Sequence, residues 1–186
     1  MAELLNFNLE QQKSLEIPKN LINISSEAIW TVSSAKTGHG VDKILDKSTE
    51  TFWQSDGILP HLVNIQFQRK MKIARISIYI EYSSDESYTP RVFAVSSGTT
   101  FQDLKEITQA KIKKKDGWAH IELKQQNSDQ PLHSGFIQIA ILRNHINGND
   151  SHIRQIQIFG KKQPIISTLH LPKFSTIQFQ QYANLK

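Results

Sequence analysis

The densest run of chemically capable side chains is Arg143-Asn-His-Ile-Asn-Gly-Asn-Asp-Ser-His-Ile-Arg154. Its two histidines and its acid, His145, Asp150 and His152, are the types that a zinc site or a proton relay draws on. No nucleophile elbow, no His-Glu-x-x-His pattern and no phosphate loop accompanies them. The same run also carries Arg143, Asn144, Asn147, Asn149 and Arg154, a dense set of donors and acceptors. Such a set on a rigid scaffold reads as hydrogen bonding in a recognition loop, with no metal or cofactor implied. A metal hydrolase built on His145, Asp150 and His152 stands as an alternative with composition alone behind it.

Two further loops are richer than spacing requires. Ser83-Ser-Asp-Glu-Ser-Tyr-Thr-Pro90 offers hydroxyls and an acid pair. Its serines and aspartate can satisfy loop backbone groups, and calcium would need an ordered run of oxygens that is not there. Asp46-Lys-Ser-Thr-Glu-Thr-Phe-Trp-Gln-Ser-Asp-Gly57, followed by Pro60-His61, sets Phe52 and Trp53 inside a polar segment. Buried aromatics pin long loops, so this one reads as structural, with a ligand-facing aromatic as the functional alternative.

The elements that must position these loops are strands. Val63, Ile65 and Phe67 alternate with polar residues, as do Ile76, Ile78 and Ile80, then Ala119, Ile121 and Leu123, then Ile156 and Ile158. Period-two alternation puts one strand face in a core and the other in water. Phe136–Leu142 is nearly continuous in apolar residues and reads as a central strand buried on both faces. Ala28–Ser33, Arg91–Ser97 and Thr176–Phe179 complete about eight short strands, the pattern of a β-sandwich or jelly roll. Single helical turns are expected at Asp42–Asp46 and Gln102–Ile107. Residues 1–22, without alternation, read as an N-terminal extension in which Leu4, Leu5, Phe7 and Leu9 form a docking segment. Residues 23–162 read as the sandwich core, and 163–186 as a C-terminal segment and tail.

The whole chain narrows the functional classes. Its 186 residues suit one domain with a real core. It has no cysteine, which excludes disulfides, thiolate zinc sites and cysteine nucleophiles, and fits a reducing compartment. No apolar run is long enough to span a bilayer, and the start lacks the basic and apolar stretches of a secretory signal; nucleus and cytoplasm are the expected location. The net charge is +5, but the one dense basic run, Lys111, Lys113, Lys114 and Lys115, has no interleaved aromatics. It reads as a solvated strand end before the Asp116-Gly117 turn, with no nucleic-acid partner.

At its loops the chain resembles the DOC-domain subunits of the anaphase-promoting complex, a cell-cycle ubiquitin ligase. The matching stretches are Ala28-Ile-Trp-Thr-Val-Ser-Ser34, Gly38-His-Gly-Val-Asp42, Glu50-Thr-Phe-Trp-Gln-Ser-Asp-Gly57, Pro60-His-Leu-Val-Asn-Ile-Gln-Phe67, Ser84-Asp-Glu-Ser-Tyr-Thr-Pro90 and Asn144-His-Ile-Asn-Gly-Asn-Asp-Ser-His-Ile-Arg-Gln155. They run in order over about residues 23–179. The resemblance implies an all-β, galactose-binding-like (discoidin-like) jelly roll and a non-catalytic role. It implies a co-receptor for destruction-box substrates beside a propeller-type activator, promoting processive ubiquitination. By position in the motifs, Ser87 and Asn147 are the expected degron contacts, with Tyr88, Asn144, His145, Asp150, His152 and Arg154 shaping the surface. Family members often end in isoleucine-arginine, which docks in a tetratricopeptide-repeat subunit. This chain ends Leu185-Lys186, which keeps the apolar-then-basic order but loses the planar fork of arginine. The reading from another class is a discoidin-like module for carbohydrate or lipid headgroups; relatives of that kind are usually secreted and disulfide-tied, which this chain does not match.

Overall fold

Isoleucine and valine at alternate positions need a pleated surface to pack against, and the structure supplies two. It is a computed structural model and describes residues 4–6, 15–125 and 128–162. Strands β1 (Leu4–Asn6), β2 (Leu21–Asn23), β3 (Ala28–Val32), β4 (Trp53–Gln54), β5 (His61–Glu81) and β6 (Pro90–Gly98) come first. Strands β7 (Lys105–Lys111), β8 (Asp116–Glu122), β9 (Leu132–Asn144), β10 (His152–Ile153) and β11 (Gln155–Lys161) follow. Two short helices interrupt them, α1 (Asp42–Leu45) and α2 (Tyr82–Asp85).

The 21-residue β5 belongs to both layers of the sandwich. Its first part pairs antiparallel with β3 and β9, and β9 continues to β6, β7 and β1. Its second part pairs antiparallel with β8 and β11, and β11 with β2. Val63 and Ile65 from the first part and Ile76 and Ile78 from the second are all fully buried in one core cluster. Burying each such side chain stabilises by roughly 1.5–3 kcal/mol. The sequence pattern reads the two parts as separate strands. They are one ribbon because Gln68–Lys72 holds no glycine or proline to turn it. Instead the ladder with β9 slips between Gln66 and Met71. Beyond that slip Met71 and the fully buried Ile73 keep the odd phase. The change to even positions, from Ile76 on, comes at a second irregularity, where the ladder with β11 passes from Gly160↔Ile73 to Phe159↔Arg75, so both parts face the same core.

Four expectations change. Phe136–Leu142 lies in β9, between β6 and β5, and the face of Ile137, Ile139 and Ile141 is fully sealed; on the other face Phe136 is buried but Gln138, Ala140 and Leu142 are half-buried. Gln102–Ile107 is not a helical turn. Asp103 accepts from the Thr99 and Thr100 amides at 2.8 and 2.7 Å, closing a tight turn that launches β7. Lys115 is buried and donates from Nζ to the Trp118 carbonyl at 2.6 Å, so the basic run is not wholly solvated. Residues 1–22 do contain strands, since β1 pairs with β7 and β2 with β11; three-residue strands are too short to show alternation. Phe7, Leu9, Thr176–Phe179, Leu185 and Lys186 lie outside the described residues.

Candidate functional site

The chemically rich loops meet at one end of the sandwich because their strands do. β9 delivers Asn144, its Cα partner across the ladder is Pro90 at the start of β6, and β5 runs directly into α2. The second and third loops therefore leave neighbouring strand ends and pack together. The His145 amide donates to the Thr89 carbonyl at 2.9 Å. Gly148 lies so close to the Ser87 carbonyl that a Cβ there would sit 1.9 Å from its oxygen. Glycine at 148 is thus required by space, since its φ of −64° is ordinary. The left-handed residues of the turn are Ile146 (φ 52°) and Asn147 (φ 57°). Asparagine tolerates that region well, whereas isoleucine there is strained by roughly 1–3 kcal/mol and must be held by its surroundings.

Asn144 does the holding. It is buried, and its Nδ2 donates to the carbonyls of Gly148 (3.0 Å) and Asp150 (2.8 Å). Its Oδ1 accepts from Ser151 Oγ at 2.9 Å. Ser151 in turn donates its amide to Ser55 Oγ at 2.8 Å, and His61 Nε2 lies 2.7 Å from the Asn149 carbonyl. β10 pairs with β4 beside these contacts, which ties the first loop to the third. Trp53 is completely buried, and its Nε1 donates to the Ser34 carbonyl at 2.9 Å, the structural role read from sequence.

Beneath this surface lies a buried ionic cluster. Asp85 Oδ1 and Oδ2 accept from Arg154 Nη2 (3.0 Å) and Nε (3.2 Å), and His152 Nδ1 stands 3.1 Å from Oδ1. Arg154 Nη1 donates to the Thr49 carbonyl at 2.7 Å, and Glu81 lies 3.3 Å from Nη2. One guanidinium thus joins all three loops. Burial pushes the Asp85 carboxyl up, but the hydrogen bonds from His152 and Arg154 outweigh it and hold it below the usual value. Above the cluster, rings stack in a row: His39 on Phe52 (4.7 Å), Phe52 on His152 (4.1 Å), His152 on Tyr88 (4.3 Å).

The expected site residues therefore divide. Asn147 is exposed, Tyr88 is 40% exposed, and Ser87 and Asp150 are half-buried. Asn144, His145, His152 and Arg154 are buried and shape the surface from below. His145 packs edge-on against Tyr82 at 5.2 Å, whereas His152 sits between Phe52 and Tyr88. The two histidines that tempt a metal reading do not converge, and no group of three His, Cys, Asp or Glu among the described residues could hold an ion. Sequence reasoning weighed Asp85 only as half of an acid pair and missed its pairing with Arg154. It also missed His39, Ser55 and His61 as parts of the scaffold. Its place after Ser83 and Ser84, inside the Ser84–Pro90 motif, was the signal for Asp85.

Comparison with known proteins agrees with this architecture. The family model described as "Anaphase-promoting complex, subunit 10" matches residues 5–184. The chain is 44% identical over 174 residues to anaphase-promoting complex subunit 10 of Homo sapiens, covering 94% of this chain and 93% of that one. It is 37% identical over 183 residues to the subunit of the same name from Schizosaccharomyces pombe, covering 96% of each. Among solved structures, a family 32 carbohydrate-binding module from Clostridium perfringens NanJ in complex with galactose is similar, with a TM-score of 0.63 and 13% identity. It covers 75% of this chain and 98% of that module. An F5/8 type C domain from Bacteroides fragilis also scores 0.63 at 13% identity, covering 78% of this chain and all of that domain. At such identities these two structures speak to the fold alone, a discoidin-like jelly roll.

Proposed function

The chain belongs to the anaphase-promoting complex subunit 10 family, a subunit of that ubiquitin ligase, and from that premise we propose that it acts there as a non-catalytic co-receptor for destruction-box degrons. One observation supports the reading above all. Two loops far apart in sequence, Ser84–Pro90 and Asn144–Arg154, are locked into one surface on which Ser87 and Asn147 are neighbours through the Gly148 contact.

Such a surface suits a polar, extended peptide. Ser87 and Asn147 supply a hydroxyl and an amide, each worth about 1 kcal/mol net when paired with a ligand. Tyr88 and Asp150 extend the patch, and the buried Asn144, His145, His152 and Arg154 fix its shape. The affinity of such a patch alone is low. Held beside a propeller-type activator that takes the arginine and leucine of the degron, it gains by effective concentration, about 100-fold or more. Longer residence then permits more ubiquitins per encounter. The subunit is anchored through Leu185 and Lys186 in a tetratricopeptide-repeat subunit and works in nucleus and cytoplasm.

The test is the double substitution Ser87→Ala with Asn147→Ala in the assembled ligase. The fold stays intact and destruction-box substrates carry shorter ubiquitin chains per binding event. Unchanged chain lengths would overturn the assignment of the site.

A further inference from the structure

A second surface adjoins the first and has different chemistry. β6, β7 and the third loop enclose an open groove of about 640 Å3 lined by Arg91, Lys111, Lys113, Lys114, His145 and Ile146. Among the described residues, every charged one that lines it is a cation. Tertiary structure assembles it from three distant segments. Arg91 sits at an irregularity where the β6–β9 ladder jumps from Pro90↔Asn144 to Val92↔Arg143. Lys111 ends β7 opposite Val92. Lys114 lies over the Tyr82 ring, 4.8 Å from its centroid.

The groove also has an unmet polar group. His145 is only 5% exposed, and its Nε2 is buried without a hydrogen-bond partner. Burial, and then the charges of Arg91 and Lys114, push its imidazole below the ordinary value, against a smaller opposing pull from the Ile112 backbone. Arg91 and Lys114, both acting on this ring, raise each other's electrostatic cost, which an incoming negative charge relieves. Ile146, 64% exposed, forms one wall and precedes Asn147, so the groove is continuous with the loop surface.

We propose that this groove is an anion subsite that takes the carboxylates of an acidic peptide segment, carried next to the part of the ligand that crosses Ser87 and Asn147. The placement of the segment rests on the co-receptor reading; the anion site itself does not. Charge complementarity selects the ligand. The described residues that line the groove include no Phe, Tyr or Trp, and Tyr82 lies beneath Lys114, which leaves bases little to stack on and favours a peptide over a nucleic acid.

The experiment uses the full chain, isotope-labelled, with a glutamate-rich hexapeptide and its glutamine counterpart as probes. The glutamate peptide is expected to shift the amides of Ile112, Lys114 and Ile146 and the His145 ring, and to bind about tenfold more weakly at ~0.3 M salt than at low salt. The glutamine peptide shifts none of them. Arg91→Glu with Lys111→Glu, both at exposed positions, abolishes the effect; Arg91→Gln with Lys111→Gln weakens it about tenfold or more. Ser87→Ala with Asn147→Ala leaves it intact, so a failed degron assignment and a failed anion site give different results. Equal shifts from both peptides, no shifts at all, or full binding by the charge-reversed chain would overturn the proposal. So would a single-stranded hexanucleotide that moves the same signals more than the glutamate peptide does.

Discussion

Replacing Gly148 by alanine isolates the contact that joins the second and third loops. The added Cβ would stand 1.9 Å from the Ser87 carbonyl oxygen, 2.7 Å from its carbon and 3.3 Å from its Cβ. Real Cβ contacts under 3.0 Å essentially never occur, so the loops must part by at least about 1 Å. The atoms in the way are backbone, and they are restrained. The His145–Thr89 backbone hydrogen bond and the Asn144 side chain hold one loop, and the Arg154–Asp85 pair holds the other to it. Because φ at 148 is −64°, alanine meets no backbone penalty and the whole cost is steric. Overpacking of this kind costs about 1–3 kcal/mol, read as a lower urea midpoint with unchanged slope. The same separation displaces Ser87 from Asn147. Losing two ligand hydrogen bonds of about 1 kcal/mol each corresponds to roughly 30-fold weaker peptide capture. Ubiquitin chains on a destruction-box substrate should therefore shorten as in the Ser87→Ala, Asn147→Ala pair. Gly38→Ala is the control: its φ is +84° and nothing lies within 4 Å of an added Cβ. It should lose about 1 kcal/mol of stability with chain length unchanged. If Gly148→Ala kept both the wild-type midpoint and wild-type chain lengths, the coupling of the loops as described would be wrong.

Two further outcomes follow from buried charges. Asp85→Asn keeps the shape but leaves the Arg154 guanidinium with Glu81 as its nearest carboxylate, and should cost about 3 kcal/mol by urea denaturation. The Asp85 carboxyl is held below its ordinary 3.8, so its stabilisation is complete above about pH 4 and is lost as pH falls further; the acid limb of the stability curve should be shallower in the variant. His120, beside Ser77 Oγ at 2.8 Å, is pushed down to about 4 by burial and then by the Arg75 and Lys115 charges. Its neutral form stabilises the fold fully above the ordinary 6.5, and that share is lost as pH falls from there towards 4. A ring titration by NMR should show a midpoint near 4, and one near 6.5 would refute the packing described around it.

The strands were largely legible because isoleucines at every second residue admit few other structures. Their edges were less so. β7 escaped because Lys105–Lys111 is mostly polar and takes its strand form from pairing with β6, which no local pattern announces. The second and third loops were legible as loops, from Asn147-Gly148 and from an excess of donors over what a hairpin needs. The reason for Gly148 was not. A glycine after asparagine suggests a left-handed turn, yet the left-handed residues are Ile146 and Asn147, and Gly148 is there to let Ser87 approach.

By itself the sequence determined an all-β sandwich, the strands that build its core, the family, and which loops carry donors and acceptors. Periodicity and motif order are local properties, and they survive without coordinates. Only the tertiary structure decided how those donors are spent. It turned Asn144, His152 and Arg154 inward and left Asn147 and Tyr88 outward. It joined Asp85 to Arg154, 69 residues away. It gathered Arg91, Lys111, Lys114 and His145 into one cationic groove, where the sequence shows a strand end and a scatter of charge. Burial and charge proximity depend on which segments meet across the sandwich, and that is fixed by strand pairing between residues the sequence holds far apart.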